Sequence, residues 1–242
     1  MGGSILSHDH FQGGSYVFPM TVAPIDIPLH SPDAAVSAGI LNWPMSTLRL
    51  HGTEPKKLID VAEKVLAAWR QWSDPACDIL AYTDAPHNTI TPILRRDGEE
   101  YVFDLVLRNN RTTAEHPMGI FHPHADLHHI KMENIGLIEV MGLFILPGRL
   151  KIELALLQEF LTGKRPMARP EDSDPCAKHY DWLEQLVAEH GLCKDDEEAA
   201  AFLRSEVAKV CAQVLADAGV YKQDEKGLAG IKRFMATVGY QG

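Results

Sequence analysis

The sequence has little cysteine, no long apolar run and no excess of basic residues. Its four cysteines lie far apart without a Cys-x-x-Cys pair, so neither a thiolate zinc cluster nor a disulfide framework is expected. No apolar stretch reaches the roughly 18 residues that a membrane-spanning helix needs. The N-terminus lacks the charged and apolar regions typical of a signal peptide. These absences predict a cytoplasmic protein without a membrane partner.

The charge balance also excludes a class of function. The 242 residues carry a formal net charge of −10, whereas a general nucleic-acid binder is usually basic. No nucleic-acid partner is therefore expected, although a few local residues can still hold a small anionic substrate. Histidine is abundant instead, with twelve copies, and their clustering carries most of the functional information.

Apolar periodicity predicts the secondary structure. Residues 54–72 repeat apolar side chains at steps of three and four, which indicates a helix. Residues 89–94 and 101–107 are β-branched or aromatic, and Asp97-Gly98 between them predicts a hairpin. Residues 16–18 and 46–51 look like short strands, and 19–45, with five prolines, like an irregular connection. Residues 134–146 look like a buried strand, although a buried helix has the same pattern.

The pattern changes towards the C-terminus. Helices are predicted over 150–161, 177–190, 197–216 and 227–238, and the composition of 162–175 is typical of a linker. The sequence therefore predicts an α+β protein. A β body with the candidate site motifs spans residues 1–161, and a helical C-terminal region spans 162–242.

The first histidine run is His8-Asp9-His10-Phe11-Gln12, with glycines on both sides. In an extended segment, alternate residues point to one face, so His8, His10 and Gln12 line one surface. Glycine lets the backbone approach a ligand and leaves N–H groups free for phosphate oxygens. A neutral imidazole is a nucleophile toward phosphorus, and an amide donates to a phosphoryl oxygen as charge develops. The alternative is a surface loop with two incidental histidines.

The second run, residues 122–129, contains four histidines and an aspartate. His122, His124, Asp126 and His128 are compatible with a zinc or iron site, because imidazole and carboxylate bind both metals. The histidines are equally compatible with phosphate contacts, and a polar loop whose rings satisfy one another is a third interpretation. His87 precedes a predicted strand and suits either site.

Four segments together resemble a known family. They are GGSILSHDHFQGG (2–14), PHNTITPILRR (86–96), FDLVLRNNRT (103–112) and, most specifically, IFHPHADLHHIKMENIGLIEVMGLFILPGRLK (120–151). The sequence resembles the galactose-1-phosphate uridylyltransferases, in their bacterial second class, within the histidine-triad superfamily. The resemblance implies an antiparallel histidine-triad-like sheet with flanking helices and a helical C-terminal tail.

The resemblance also implies a reaction and its residues. Uridylyl transfer from UDP-glucose to galactose 1-phosphate would pass through a covalent uridylyl-histidine, with His10 as nucleophile and His8 holding its tautomer. Hydrolases of the superfamily carry a third histidine where this sequence has Gln12. Glutamine is neither an acid nor a base at neutral pH, so Gln12 favours transfer over hydrolysis. The candidate substrate-binding residues are Gly3, Ser4, Arg108, His122 and His124. The resemblance implies that Ser4 hydrogen-bonds phosphate, whereas Arg108 is one of several basic residues around the β body that could balance a diphosphate or be solvated strand-edge charges.

The same resemblance gives two further expectations, one about metal binding and one about the missing half of the enzyme. The first class binds metal through histidines in regions that correspond to His87, His122 and His124, so zinc or iron is the expected cofactor if one is present. Family members are about twice as long, which predicts that this chain is a C-terminal half that forms a homo-oligomer or pairs with an N-terminal half. Three alternatives stay open: a nucleotide-binding remnant without turnover, a related phosphorylase or hydrolase, and a metal-dependent enzyme centred on residues 122–129.

Overall fold

A computed structural model of the chain describes residues 11–241, which form one antiparallel sheet and six α-helices. The strands are β1 (Ile25–Leu29), β2 (Ser37–Leu41), β3 (Thr47–Gly52), β4 (Asn88–Asp97) and β5 (Glu100–Asn109), in the spatial order β1-β2-β3-β5-β4. The helices are α1 (Pro55–Gln71), α2 (Leu137–Val140), α3 (Leu150–Leu161), α4 (Tyr180–His190), α5 (Asp196–Ala218) and α6 (Glu225–Thr237). The predicted α+β class is confirmed.

The β4–β5 hairpin is the predicted one. Its pairing runs from Asn88 opposite Asn109 to Asp97 opposite Glu100, so the two-residue loop is 98–99. Gly98 has φ +58°, a conformation that glycine adopts without a side-chain clash. The predicted strand at 46–51 and the helices at 54–72, 150–161, 177–190, 197–216 and 227–238 are confirmed as β3, α1, α3, α4, α5 and α6 within a few residues.

Three predicted segments differ from the structure. Residues 16–18 form no strand, and the supposedly irregular stretch 19–45 contains β1, β2 and a short 3-10 turn, Pro19–Val22. The strand predicted over 134–146 is wrong, because the segment forms the single-turn helix α2 and then irregular backbone. The Glu139 carboxylate accepts a hydrogen bond from the Gly136 N–H (2.7 Å) and starts this helix, as in a capping box. Gly142, at φ +94°, ends the turn.

The two faces of the sheet are covered differently. One face packs against α1 and α6 around apolar side chains that include Leu48, Leu50, Leu105, Trp69 and Phe234. On the other face Arg49 and Asp104 form a buried two-pronged ion pair, with N–O distances of 2.7 and 2.9 Å. Arg49 also donates to the backbone oxygen of Met20 (2.7 Å) and ties the segment before β1 to the sheet.

The chain divides into two compact units. The first contains the described residues up to 123, together with 134–143 and those from 215 onward; the second contains 124–133 and 144–214. This division differs from the predicted boundary at residue 161. The cause is packing, because α6 belongs to the core of the sheet, whereas α3 packs with α4 around Leu157, Phe160 and Leu183. None of the described helices has the length and apolar content needed to cross a membrane.

Candidate functional site

A polar cleft of about 230 Å³ lies at the end of β5, within the first unit. Met118, Phe121 and Ile135 contribute apolar walls, and Gly119 and Pro123 contribute to the rim. No aspartate or glutamate is among the described residues that line it. Its polar lining consists of Arg108, Asn109, Asn110, His122 and Asn134.

A second depression is larger but less suited to a charged ligand. It measures about 360 Å³ and is lined by two lysines, two aspartates and apolar residues of α1 and the C-terminal segment. Lys57 Nζ lies 3.7 Å from Asp33 Oδ1, so part of the positive charge is already paired. None of the residues predicted for the site lines this depression.

The end of β5 is held by a buried hydrogen-bond network. The Trp69 indole N–H donates to the backbone oxygens of Thr89 (3.0 Å) and Arg108 (3.1 Å) and so fixes both strands of the hairpin to α1. The Asn109 amide donates to Asn88 Oδ1 (2.7 Å). Because alternate side chains point to opposite faces of a strand, Leu107 enters the core while Arg108 lies on the opposite face.

Arg108 is a buried cation without an anionic partner in the described structure. Only 8% of its surface is exposed. No hydrogen bond or ion pair joins its guanidinium to any residue within 11–241. Burial lowers the pKa of Arg108 to about 10, so it still carries its charge at neutral pH. A buried charge without a counter-charge is costly, and an anion in the cleft would offset that cost.

Asn110 is held beside Arg108 by His87. The His87 backbone oxygen accepts from the Asn110 N–H (3.1 Å), and His87 Nδ1 lies 3.0 Å from Asn110 Oδ1. The other ring nitrogen, Nε2, lies 2.7 Å from Thr83 Oγ1. Both nitrogens of His87 are therefore engaged in hydrogen bonds.

His122 closes another side of the cleft. It is buried, and its Nε2 lies 3.2 Å from Asn134 Oδ1. Gly119 stands directly against it, because a Cβ added at Gly119 would come within 3.3 Å of the His122 Cβ. Gly119 also has φ +131°, so the backbone beside His122 requires glycine.

The structure brings together only part of the predicted site. Arg108 and His122 line one cleft, and His87 reaches it through Asn110. Gln12 is exposed and lies outside regular secondary structure. His124 belongs to the second unit, immediately before the 3-10 turn Ala125–Leu127. The remaining predicted residues, Gly3, Ser4, His8 and His10, lie outside the described part of the chain.

Sequence reasoning missed the three cleft asparagines, Asn109, Asn110 and Asn134. Asn110 follows Asn109 at the end of a predicted strand, where a polar pair after an apolar run is the available signal. Asn134 stands at the start of a segment that was predicted to be a buried strand, and that error concealed it.

The predicted metal ligands do not converge in the described residues. Between residues 11 and 241, no three His, Cys, Asp or Glu side chains are arranged to hold a metal ion. His87 has both ring nitrogens engaged, and His122 faces the Asn134 amide oxygen. The described donor set therefore does not fit zinc or iron, and metal binding by His87, His122 and His124 stays a prediction.

The second unit holds another histidine cluster, in which His129 of the 122–129 run meets His179, a residue that the sequence had not indicated. His129 Nδ1 lies 2.8 Å from His179 Nδ1, and His179 Nε2 lies 3.0 Å from Glu153 Oε2. Trp182 packs against His129, with ring centroids 5.0 Å apart. Burial, followed by the charge of His179, lowers the pKa of His129 to about 4.

Comparison with known proteins identifies the family. Residues 1–162 match the family model described as "Galactose-1-phosphate uridyl transferase, C-terminal domain". The chain belongs to the galactose-1-phosphate uridylyltransferase family. The matched region includes both histidine runs and every residue of the cleft.

Curated members of the galactose-1-phosphate uridylyltransferase family are similar over the whole chain. A galactose-1-phosphate uridylyltransferase of Caldanaerobacter subterraneus is 50% identical over 100% of this chain and 48% of its own length. Galactose-1-phosphate uridylyltransferase 2 of Streptococcus pneumoniae is 49% identical over 99% of this chain and 48% of its own. The enzyme of Halalkalibacterium halodurans is 50% identical over 98% and 47%. The chain thus spans about half the length of these relatives, and no solved structure matches it significantly.

Proposed function

We propose that this chain takes part in uridylyl transfer from UDP-glucose to galactose 1-phosphate, in galactose metabolism. The match of residues 1–162 to the family's C-terminal domain carries the proposal. A cleft that presents a buried arginine, with no carboxylate among the described residues that line it, supports the proposal, because both substrates are phosphate esters.

The proposed reaction has two displacement steps at one phosphorus atom. A ring nitrogen of neutral His10 attacks the α-phosphorus of UDP-glucose, and the bond from that phosphorus to the bridging oxygen breaks as glucose 1-phosphate leaves. A phosphate oxygen of galactose 1-phosphate then attacks the uridylyl-histidine, the P–N bond breaks, and UDP-galactose forms. No water enters, and His10 is regenerated in its original state.

The other residues have supporting roles in the proposal. His8 holds the His10 tautomer, and Gly3 and Ser4 donate hydrogen bonds to phosphate. Gln12 donates to the phosphoryl oxygens without acting as an acid or a base.

The remaining substrate-binding residues in the proposal are Arg108, His122 and His124. Arg108 supplies a permanent charge at neutral pH, and His122 lies on the wall of the same cleft. The proposed partner of the chain is a second copy or an N-terminal half, because its relatives are about twice as long.

Intact-protein mass spectrometry after incubation with UDP-glucose tests the covalent step. We expect a mass increase of one uridylyl group in the native chain and none in His10→Ala. A matched control is His190→Ala, which removes an exposed histidine on α4 and should leave the adduct intact. Addition of galactose 1-phosphate should discharge the adduct as UDP-galactose.

The same experiment separates the alternatives. An adduct that persists in His10→Ala would contradict the assigned nucleophile. If the folded chain forms no adduct alone, the incubation is repeated with the N-terminal half of the Halalkalibacterium halodurans relative. Labelling only in the mixture would assign the activity to the pair, and absence of labelling in both would leave a nucleotide-binding remnant.

A further inference from the structure

The cleft at the end of β5 has the chemistry of an anion site. It contains one buried guanidinium and no described carboxylate, and its volume of about 230 Å³ suits a small ligand. Arg108 presents up to five N–H donors in a planar fork, which matches the oxygens of a phosphate group. Because no described residue pairs with it, the guanidinium is available to a ligand.

Asn110 adds an oriented donor to this site. An amide oxygen only accepts hydrogen bonds, so His87 Nδ1, 3.0 Å away, must donate to Asn110 Oδ1. Because Oδ1 faces His87, the Asn110 NH₂ group points away from His87. This NH₂ group makes no hydrogen bond within the described chain.

Hydrogen bonds also fix the orientation of the His87 side chain. Its backbone N–H donates to the Ala81 oxygen (2.8 Å), and its Nε2 meets Thr83 Oγ1 (2.7 Å). The Thr83 hydroxyl also donates to Asp84 Oδ1 at 2.7 Å. A chain of hydrogen bonds therefore runs from Asp84 through Thr83 and His87 to Asn110.

We infer that this cleft is a binding subsite for a phosphate monoester dianion, held by Arg108 and Asn110, and that His87 is the positioning residue for the Asn110 amide. Phe121 and Ile135 line the same cleft and supply apolar surface for the organic part of a monoester. Identification of the monoester with a sugar 1-phosphate rests on the proposed function. The binding itself requires no covalent step, so the two are tested separately.

Isothermal titration calorimetry on the 242-residue chain tests the subsite with galactose 1-phosphate, inorganic phosphate and galactose. We expect galactose 1-phosphate to bind more tightly than inorganic phosphate, and galactose not to bind. Arg108→Gln should weaken galactose 1-phosphate binding by about 10- to 100-fold, the range for a lost charge-assisted contact. Arg96→Gln, which removes an equal charge from exposed β4, is the matched control and should bind as the native chain does.

Variants of Asn110 and His87 test the positioning role. Asn110→Asp places a carboxylate at an exposed position and should abolish binding without unfolding the chain. His87→Ala should weaken binding about two- to tenfold. His87→Asn should restore it, because its amide nitrogen takes the place of Nδ1 as donor, a rescue that a merely structural role would not give.

Three results would overturn the inference: no binding of galactose 1-phosphate to the native chain, equal binding by the Asn110→Asp variant, or inorganic phosphate binding as tightly as the sugar phosphate. The uridylyl-adduct experiment gives an independent outcome. Phosphate binding without an adduct, both in the chain alone and in its mixture with the N-terminal half, would refute the proposed function alone. An adduct with unchanged binding in Arg108→Gln and Asn110→Asp would refute the subsite alone.

Discussion

Two features of the cleft require glycine at position 119: the backbone conformation there and the short distance to His122. Its φ of +131° is a conformation that residues with a side chain rarely adopt. Its Cα also faces His122 so closely that a methyl group would meet the His122 Cβ at 3.3 Å. The backbone of the loop after β5 therefore approaches His122 only because the side chain is absent.

Gly119→Ala should destabilise the chain by about 1–3 kcal/mol, because the backbone must adopt a strained conformation and His122 must shift. Urea denaturation followed by circular dichroism measures the change in the free energy of unfolding. The control is Gly148→Ala, a position without positive φ and with no atom within 4 Å of the added Cβ. Equal stability of the two variants would contradict the strain argument.

Helices α3 and α4 meet through a buried polar cluster as well as an apolar core. Glu153 of α3 accepts from His179, which directly precedes α4, and from Arg149 (2.6 Å). Burial raises the pKa of Glu153, but hydrogen bonds from Lys178, His179 and Arg149 outweigh it and hold that pKa below its usual value. Burial also lowers the pKa of His179. The contact therefore consists of an ionised carboxylate and neutral imidazoles.

His129 contacts His179 in this cluster, and its shifted pKa predicts that the free energy of unfolding decreases at acidic pH. The pKa of His129 is about 4 in the fold, against an ordinary histidine value of 6.5, so on acidification the unfolded chain binds a proton before the folded chain does. The contribution of this shift to the free energy of unfolding is therefore fully present above about pH 6.5 and is lost as the pH falls towards 4. The expected loss is roughly 1–2 kcal/mol, below the full linkage value because His129 is partly exposed.

Urea denaturation at several pH values, with hydrogen exchange of the α4 amides, measures this loss. His129→Gln should flatten the pH dependence, since glutamine does not titrate in this range. His190→Gln removes an exposed histidine of α4 and should retain the native slope. A slope unchanged in His129→Gln would assign the acid sensitivity to other groups.

At the scale of the whole molecule, the described chain has a separate apolar core in each unit. In the first, Phe234 of α6 packs against Trp69 and Trp72, with ring centroids 5.1 and 5.8 Å apart. In the second, Phe160 of α3 packs against Tyr180 at 6.3 Å. Both phenylalanines are completely buried, so each is a probe of its own core.

Phe234→Ala and Phe160→Ala should each cost about 3–5 kcal/mol, as expected for large-to-small changes in a core. Hydrogen exchange with mass spectrometry locates the effect. We expect Phe234→Ala to lower protection mainly in β3, β5 and α1, and Phe160→Ala mainly in α3 and α4. Loss of protection spread equally over both units in either variant would contradict the division into two cores.

Local patterns in the sequence were enough to predict several secondary-structure elements. The Asp97-Gly98 dipeptide between two β-branched runs identifies the β4–β5 hairpin, because both the turn and the strand pairing involve residues close in sequence. The spacing of Leu58, Val61, Val65 and Trp69 identifies α1 in the same way. Strands β1 and β2 were not predicted, because β1 contains a proline, β2 is short, and both are stabilised by pairing in the sheet.

The sequence by itself determined the family, the α+β class and the residues with the strongest chemistry, Arg108 and His122 among them. Only the tertiary structure decided which of these meet. It brings Arg108 and His122 to one cleft, assigns His124 to the other unit, and adds Asn110 and Asn134, whose roles the family motifs had not indicated. The reason is physical: side-chain type and local spacing are written along the chain, whereas burial without a counter-charge and the orientation of an amide depend on packing between distant segments.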